Sequence, residues 1–275
     1  MPELPEVETI VRGLRPVLVG RMILSAGLLW SRSLVGLSPG IFKKRIRGQR
    51  IESLSRRAKF INLRLSEDNL LIHLRMSGDL QIREGGYEPQ KHDRLILSLS
   101  PPSTLVFNDP RKFGRVWLTS QPDKVLGNLG PEPLDPSFTP RVFYERLQAH
   151  SRQLKPLLLD QTFLAGMGNI YTDEALHLAR LNPMAQADLV TSKKAKDLWH
   201  AVQSVLEDGI RNHGASIDWV YRGGEFQNHF RVYGRAGEPC TVCGTKIERV
   251  VICQRSTYFC PRCQPFEGGE QGTAR

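Results

Sequence analysis

Cysteine is missing from the first 239 residues of this 275-residue chain, and all five cysteines fall in the last 36. A disulfide framework would use an even number and spread it more widely, so the cysteines point elsewhere. No apolar run reaches the roughly 20 residues that a membrane-spanning helix needs. The opening MPELPEVET carries three carboxylates and no Lys or Arg, the reverse of a secretory or organellar leader. Negative charge is also in deficit: 28 acidic residues against 38 basic ones give a formal charge of +10. A globular protein this basic is expected to meet nucleic acid or another anionic surface, in the cytoplasm. With 40% hydrophobic and 24% charged residues, the chain suits one large or two medium domains. No internal repeat is visible.

The acidic start carries a chemical possibility. A small second residue favours removal of the initiating Met, which would leave Pro2 as a free secondary amine. An α-amine titrates near 7.7–8.0 and a lysine near 10.4, so about a tenth of such amines are neutral at pH 7. Pro2 is therefore a candidate Schiff-base nucleophile, with Glu3 or Glu6 to move protons. The plainer alternative is an ordinary first helical turn. Pro5 suits the first position of a helix, and Leu4, Val7, Val11, Leu14 and Leu18 follow at helical spacing to about residue 20, with a distortion expected at Pro16.

Residues 21–118 read as short strands, among them 21–29, 60–65, 70–74, 95–99 and 104–107, which predicts a β-sandwich or barrel. Five prolines and two glycines across 120–140 mark a boundary. Helices are expected at 142–150, 157–161, 169–181 and 191–213. The end of the chain, EGGEQGTAR, reads as a disordered tail.

Cys240-x-x-Cys243 and Cys260-x-x-Cys263 lie sixteen residues apart. Four thiolates at this spacing close a tetrahedral, structural zinc site with no open position for catalysis. Strands at 247–253 and 257–259 would make it a hairpin, with Arg255 near the tip to meet a phosphate or a groove, or simply to lie solvated. Cys253 is left over and reads as packing. The Gly166-Met167-Gly168 turn fits either an anion site or a tight helix-helix connection. Two loops, 73–78 and 108–114, offer Met76, Arg111 and Phe113, side chains able to fill the space left by an extruded base or merely to pack. Basic runs at 43–45 and 56–59 are candidate phosphate contacts or solvated faces.

These segments together resemble one family. MPELPEVET, SRRAK (55–59), HLRMSG (73–78), KHD (91–93), DPRKFG (109–114), LGPEP (129–133), GMGNIY (166–171), VYGRAGEPC (232–240) and the paired CxxC motifs are similar to those of bacterial formamidopyrimidine-DNA glycosylases, in order along nearly the whole chain. The resemblance implies an α+β protein: an N-terminal β-sandwich with flanking helices (1–130), a helix-two-turn-helix domain (131–230), a four-cysteine zinc β-hairpin (231–264) and a tail (265–275). It implies an enzyme that removes oxidised purines such as 8-oxoguanine and formamidopyrimidines from double-stranded DNA, then nicks by β,δ-elimination. One structural zinc and no catalytic metal are implied, in a monomer associated with the bacterial nucleoid.

By the same resemblance Pro2 is the nucleophile and Glu3 the general acid/base. Lys59 contacts DNA near the lesion and assists catalysis, and Glu6 and Glu174 are supporting carboxylates. Met76, Arg111 and Phe113 fill the void, and His92, Asn169 and Arg255 meet phosphates. Lys155 lies near the lesion. Segment 214–230 is shorter than in many relatives, where it closes over the flipped base, so lesion preference is left open. Competing readings are a non-catalytic zinc-finger nucleic-acid binder, a metal-dependent nuclease, and a sibling glycosylase for oxidised pyrimidines.

Overall fold

The computed structural model describes residues 1–84, 86–101, 103–216 and 223–266. Residues 217–222 of the shortened segment, and 267–275 of the expected tail, lie outside the described residues. Contacts divide the chain into two units: residues 1–128 with 210–225, and residues 129–209 with 226–275.

The first unit begins with helix α1 (Leu4–Leu18), followed by β1 (Ile23–Leu28), α2 (Pro39–Ile46), β2 (Ile51–Arg57), β3 (Phe60–Leu65), β4 (Asn69–His73), β5 (Asp79–Glu84), β6 (Asp93–Leu99), β7 (Ser103–Asn108), β8 (Arg115–Thr119) and a single turn, α3 (Asp123–Leu126). The strands form two four-stranded antiparallel sheets, ordered β1-β6-β7-β5 and β2-β3-β4-β8. Alternate residues of both sheets meet in one core, including Ile61, Leu63 and Leu65 from β3 and Leu95, Leu97 and Leu99 from β6. Val7, Val11, Leu14 and Leu18 of α1 and Phe42 and Ile46 of α2 complete it. Each such fully buried side chain stabilises the unit by about 1.5–3 kcal/mol. The sandwich is therefore the architecture, with α1 and α2 packed into its core. Helix α1 starts one residue earlier than Pro5 suggests, so Pro5 occupies its second position, where an N–H has no intrahelical partner either.

The second unit holds α4 (Pro140–Gln148), α5 (Leu154–Leu159), α6 (Asn169–Leu178), most of α7 (Ser192–Arg211), and the hairpin β9 (Glu248–Ile252) with β10 (Arg255–Phe259). Helix α5 begins before Pro156 because a proline in the first turn removes no helical hydrogen bond. Helix α6 stops short of 181: Arg180 adopts φ +54°, and the Leu181 N–H returns to the Leu176 carbonyl. The α7 stripe of Leu198, Val202, Val205 and Leu206 is buried. The hairpin turns on Cys253 and Gln254, both with positive φ, the conformation of a two-residue primed turn. Cys253 is thus an exposed turn residue, not a packing one.

Candidate active site and nucleic-acid interface

Pro2, Glu3 and Glu6 are all buried at the start of α1. Glu6 does not offer its carboxylate outward. Its Oε2 accepts the Glu3 N–H at 2.7 Å, and its Oε1 accepts the Ala215 N–H at 2.8 Å. Gly214 makes this approach possible: a Cβ there would sit 2.8 Å from both Glu6 Cγ and Oε1, at a φ of +82°. Glu6 therefore holds the turn that carries Pro2 and Glu3. Lys59 is buried in the tight connection between β2 and β3, beside Ala58 at φ +52°. Helix α1 packs on both strands, and Glu8 ties it to β2 through Arg56 at 3.0 Å. Burial pushes the Glu8 carboxyl up, but Arg12 and Arg56 outweigh it and hold it below its ordinary value.

His73 pairs with Phe60 across β4 and β3, ring to ring at 4.7 Å. Burial, then the charges of Arg75 and Lys59, push its pKa down to about 3. The neutral ring accepts the Arg75 N–H at Nδ1 (3.0 Å) and so fixes the turn ahead of Met76. Met76, Arg111 and Phe113 are exposed, with the Arg111 guanidinium 5.2 Å from the Phe113 ring centroid. His92 is half-buried, and its carbonyl accepts the Asp109 N–H at 2.8 Å. The loop before it is gathered by buried Asp93, which accepts from Tyr87 Oη, the Gln90 N–H and Asn108 Nδ2. Not all of the basic runs are available to phosphate: Arg45 forks onto buried Asp68, and Arg56 is committed to Glu8.

In the helical unit Glu174 is wholly buried. Its carboxylate accepts three consecutive N–H groups, from Arg231, Val232 and Tyr233, each at 2.9 Å. Burial raises its pKa against these three amides. Glu174 thus holds the 231–233 bend that leads into the cysteine motif. Lys155, for which the resemblance implies a place near the lesion, is wholly buried. Its ammonium lies 2.7 Å from Asp173 Oδ1 and donates to the Ser256 carbonyl at 3.0 Å. Asn169 Nδ2 donates to the same carbonyl at 2.9 Å, and Asp173 accepts the Tyr258 N–H at 3.0 Å. Burial raises the Asp173 pKa to about 7, with Lys155 opposing it. These contacts set β10 in place and leave Arg255 exposed at its start.

The four expected cysteines converge. Their sulfurs lie within 4.8 Å of one another, with 3.9 Å between those of Cys240 and Cys263 and 3.4 Å between those of Cys243 and Cys260. A tetrahedron with 2.3 Å Zn–S bonds has sulfurs about 3.8 Å apart, so the set fits zinc. Burial and then the neighbouring sulfurs push the Cys263 thiol up to about 12, while hydrogen bonds with Thr245 hold the Cys243 thiol down at about 6. His177 of α6 brings Nε2 to 3.5 Å from Cys240 Sγ, an orienting contact of the kind metal ligands use.

Sequence reasoning missed Asp93, Asp109, Asp173 and His177. The last two lie on one face of α6 with Glu174, at spacings of three and four, but every residue from Ile170 to His177 is buried. A polar face turned toward protein looks the same in sequence as one turned toward solvent.

A family model for the formamidopyrimidine-DNA glycosylase N-terminal domain matches residues 1–116, and that for the H2TH domain of the same enzymes matches 129–220. A zinc finger found in FPG and IleRS matches 237–265. The formamidopyrimidine-DNA glycosylase of Chloroflexus aurantiacus is 47% identical over 272 residues, covering 96% of this chain and 98% of the relative. The chain belongs to the formamidopyrimidine-DNA glycosylase family. The Herpetosiphon aurantiacus enzyme is 41% identical, with 96% and 100% covered. A solved complex of wild-type Lactococcus lactis Fpg (MutM) with DNA containing N7-benzyl-Fapy-dG aligns at TM-score 0.90 and 34% identity, covering 96% of this chain and 100% of that one. A Lactococcus lactis enzyme bound non-covalently to AP-site DNA aligns at 0.89 and 34%, covering 96% and 99%. As a family member the protein is an enzyme, a DNA glycosylase of base excision repair, and AP lyase activity is general to the family.

Proposed function

We propose that this enzyme excises oxidised purines, 8-oxoguanine and formamidopyrimidines, from duplex DNA and nicks the resulting site by β,δ-elimination, with Pro2 as nucleophile. The observation that carries this reading is the buried Pro2–Glu3 turn, fixed by the two backbone N–H groups, of Glu3 and Ala215, that donate to the Glu6 carboxylate. Once Met1 is removed, the Pro2 amine attacks C1′ of the damaged nucleotide, and the C1′–N bond electrons leave with the base. The sugar ring opens to an iminium. Because the amine is secondary, that iminium keeps its positive charge and acidifies the C2′ proton. Loss of that proton expels the 3′ phosphate, and a second elimination expels the 5′ phosphate.

In this reading Glu3 moves the protons and Lys59 neutralises charge beside the lesion. Glu6 and Glu174 position rather than react. Met76, Arg111 and Phe113 fill the vacated stack, while His92, Asn169 and Arg255 meet phosphates. Lys155 acts through the β10 strand that carries Arg255. The four cysteines would hold one structural zinc, which fixes the hairpin and takes no part in bond breaking. The 1–130 segment then supplies the chemistry, 131–230 and 231–264 the grip on DNA, in a monomer working in the cytoplasm at the nucleoid.

A panel of duplexes tests the reading: 8-oxoguanine, formamidopyrimidine, an oxidised pyrimidine and a pre-formed abasic site, incubated briefly with EDTA. Cleavage of the oxidised purines and the abasic site, lost in Pro2→Gly with duplex binding retained, is expected. Preferential cleavage of the pyrimidine lesion, or nicking undiminished in Pro2→Gly, would overturn it.

A further inference from the structure

One buried carboxylate lies beneath every loop that carries a void-filling or neighbouring phosphate residue. Asp109 is 1% exposed. Its Oδ1 accepts the Ser77 hydroxyl, and the Ser77 Oγ in turn accepts the Arg111 N–H at 3.1 Å. Its Oδ2 accepts the Gly114 N–H at 2.7 Å, one residue past Phe113. Its own N–H donates to the His92 carbonyl at 2.8 Å, and its carbonyl accepts Arg94 Nε at 2.7 Å. The packing around it leaves no slack. A Cβ on Gly114 would sit 2.3 Å from Phe107 Cζ, and one on Gly78 would sit 2.5 Å from the Leu74 carbonyl oxygen. Lys112, between Arg111 and Phe113, is held at φ +62° with its ammonium 4.3 Å from the Trp30 ring centroid.

We infer that Asp109 is a positioning residue that couples the Met76 loop, the Arg111–Phe113 loop and the His92 strand end into one rigid probe of the DNA stack. This rests on the proposed void-filling role of Met76, Arg111 and Phe113. The physical reason is the sharing of acceptors. Ser77 cannot leave Asp109 without releasing the Arg111 amide, and Gly114 cannot leave it without freeing Phe113. A buried N–H or O–H stripped of its acceptor is costly, so the three loops take up one geometry together. Asp109 touches no DNA in this account; it sets where Arg111 and Phe113 stand before DNA arrives.

The test uses the full-length, zinc-loaded enzyme and a duplex with 2-aminopurine beside a tetrahydrofuran abasic analogue, whose fluorescence reports disturbance of the stack. Excision of 8-oxoguanine is measured in parallel for Asp109→Ala, Asp109→Asn, Phe113→Ala and the Asp109→Ala/Phe113→Ala pair. Asp109→Ala is expected to lower the 2-aminopurine signal and to cut excision ~10–100-fold, the scale of an ångström of misplacement. The double variant should be no worse than the poorer single variant, because both lose the same probe. Asp109→Asn should recover to within ~3-fold, since its carbonyl still accepts Gly114 and its amide can donate to Ser77. Should Asp109→Ala fail to fold, Ser77→Ala removes only the relay to Arg111 and should still lower both readouts. Losses that multiply in the double variant, or wild-type behaviour of Asp109→Ala or Ser77→Ala, would overturn the coupling. A wild-type 2-aminopurine signal from Phe113→Ala would instead overturn the void-filling role itself.

Discussion

Replacing Glu6 by Gln changes one atom and should damage the active site more than its stability. The Glu6 carboxylate is 2% exposed and accepts two backbone N–H groups, from Glu3 at 2.7 Å and Ala215 at 2.8 Å. Glutamine offers one oxygen and turns an NH₂ group on the other amide. One bond to a charged acceptor is lost and two donors face each other in a buried place, at a cost of about 1.5–3 kcal/mol. If the turn relaxes to relieve this, the cost appears as misplacement of Pro2. The same energy is a factor of about 10–150 in rate at 1.36 kcal/mol per decade. Urea unfolding reads the stability part, and single-turnover borohydride trapping on a pre-formed abasic duplex reads the geometric part. The two losses together should account for that energy, with duplex affinity within ~3-fold of wild type, because Glu6 meets no phosphate. Gly214→Ala should behave alike, since its Cβ would stand 2.8 Å from the same carboxylate. Wild-type stability together with wild-type trapping in Glu6→Gln would show that Glu6 does not hold the Pro2–Glu3 turn.

Four further outcomes are expected. Glu174→Gln leaves one of three amides facing a donor, and should weaken duplex binding ~10-fold through the 231–233 segment, about 1.5 kcal/mol; unchanged binding counts against its positioning role. Cys260→Ser should release zinc, measured by metal analysis, and weaken duplex binding, and full affinity in the metal-free variant contradicts a structural finger. Arg255→Ala should flatten the slope of log K against log salt by about 0.9, the share of one phosphate, and an unaltered slope removes Arg255 from the contact set. His73 gives a pH signature. Its folded pKa of about 3 lies below the ordinary 6.5, so below pH 6.5 the unfolded chain takes up a proton that the folded one refuses. Stability from this group is present above pH 6.5 and falls on acidification, by about 1.3 kcal/mol between pH 7 and 5.5. His73→Gln should remove that portion of the pH dependence.

The parts of this fold that depend on local pattern were visible in the sequence. The α1 stripe, the β3 strand and the four cysteines are set by spacing, and the structure has them where the pattern puts them. Boundaries shifted where a single residue's backbone decided the matter, as at Arg180 and at the Cys253–Gln254 turn. What pattern could not reveal was which charges face inward. Glu6, Asp109, Asp173 and Glu174 look in sequence like any other carboxylate, yet each is buried and accepts backbone or hydroxyl hydrogens from residues 3 to 209 positions away. Lys155 shows the same limit from the other side. The resemblance implies a place for Lys155 near the lesion, but only the structure reveals the buried Asp173 carboxylate 2.7 Å from its ammonium.

Whether Pro2 attacks C1′ is decided by trapping the iminium. The purified enzyme is incubated with an 8-oxoguanine·cytosine duplex and sodium borohydride, digested, and the cross-linked peptide identified by mass. A reduced adduct is expected on a peptide that begins at Pro2, lacking Met1, with the same adduct from a pre-formed abasic duplex. An adduct on Lys59 or another lysine, or no adduct from either duplex, would contradict attack by Pro2.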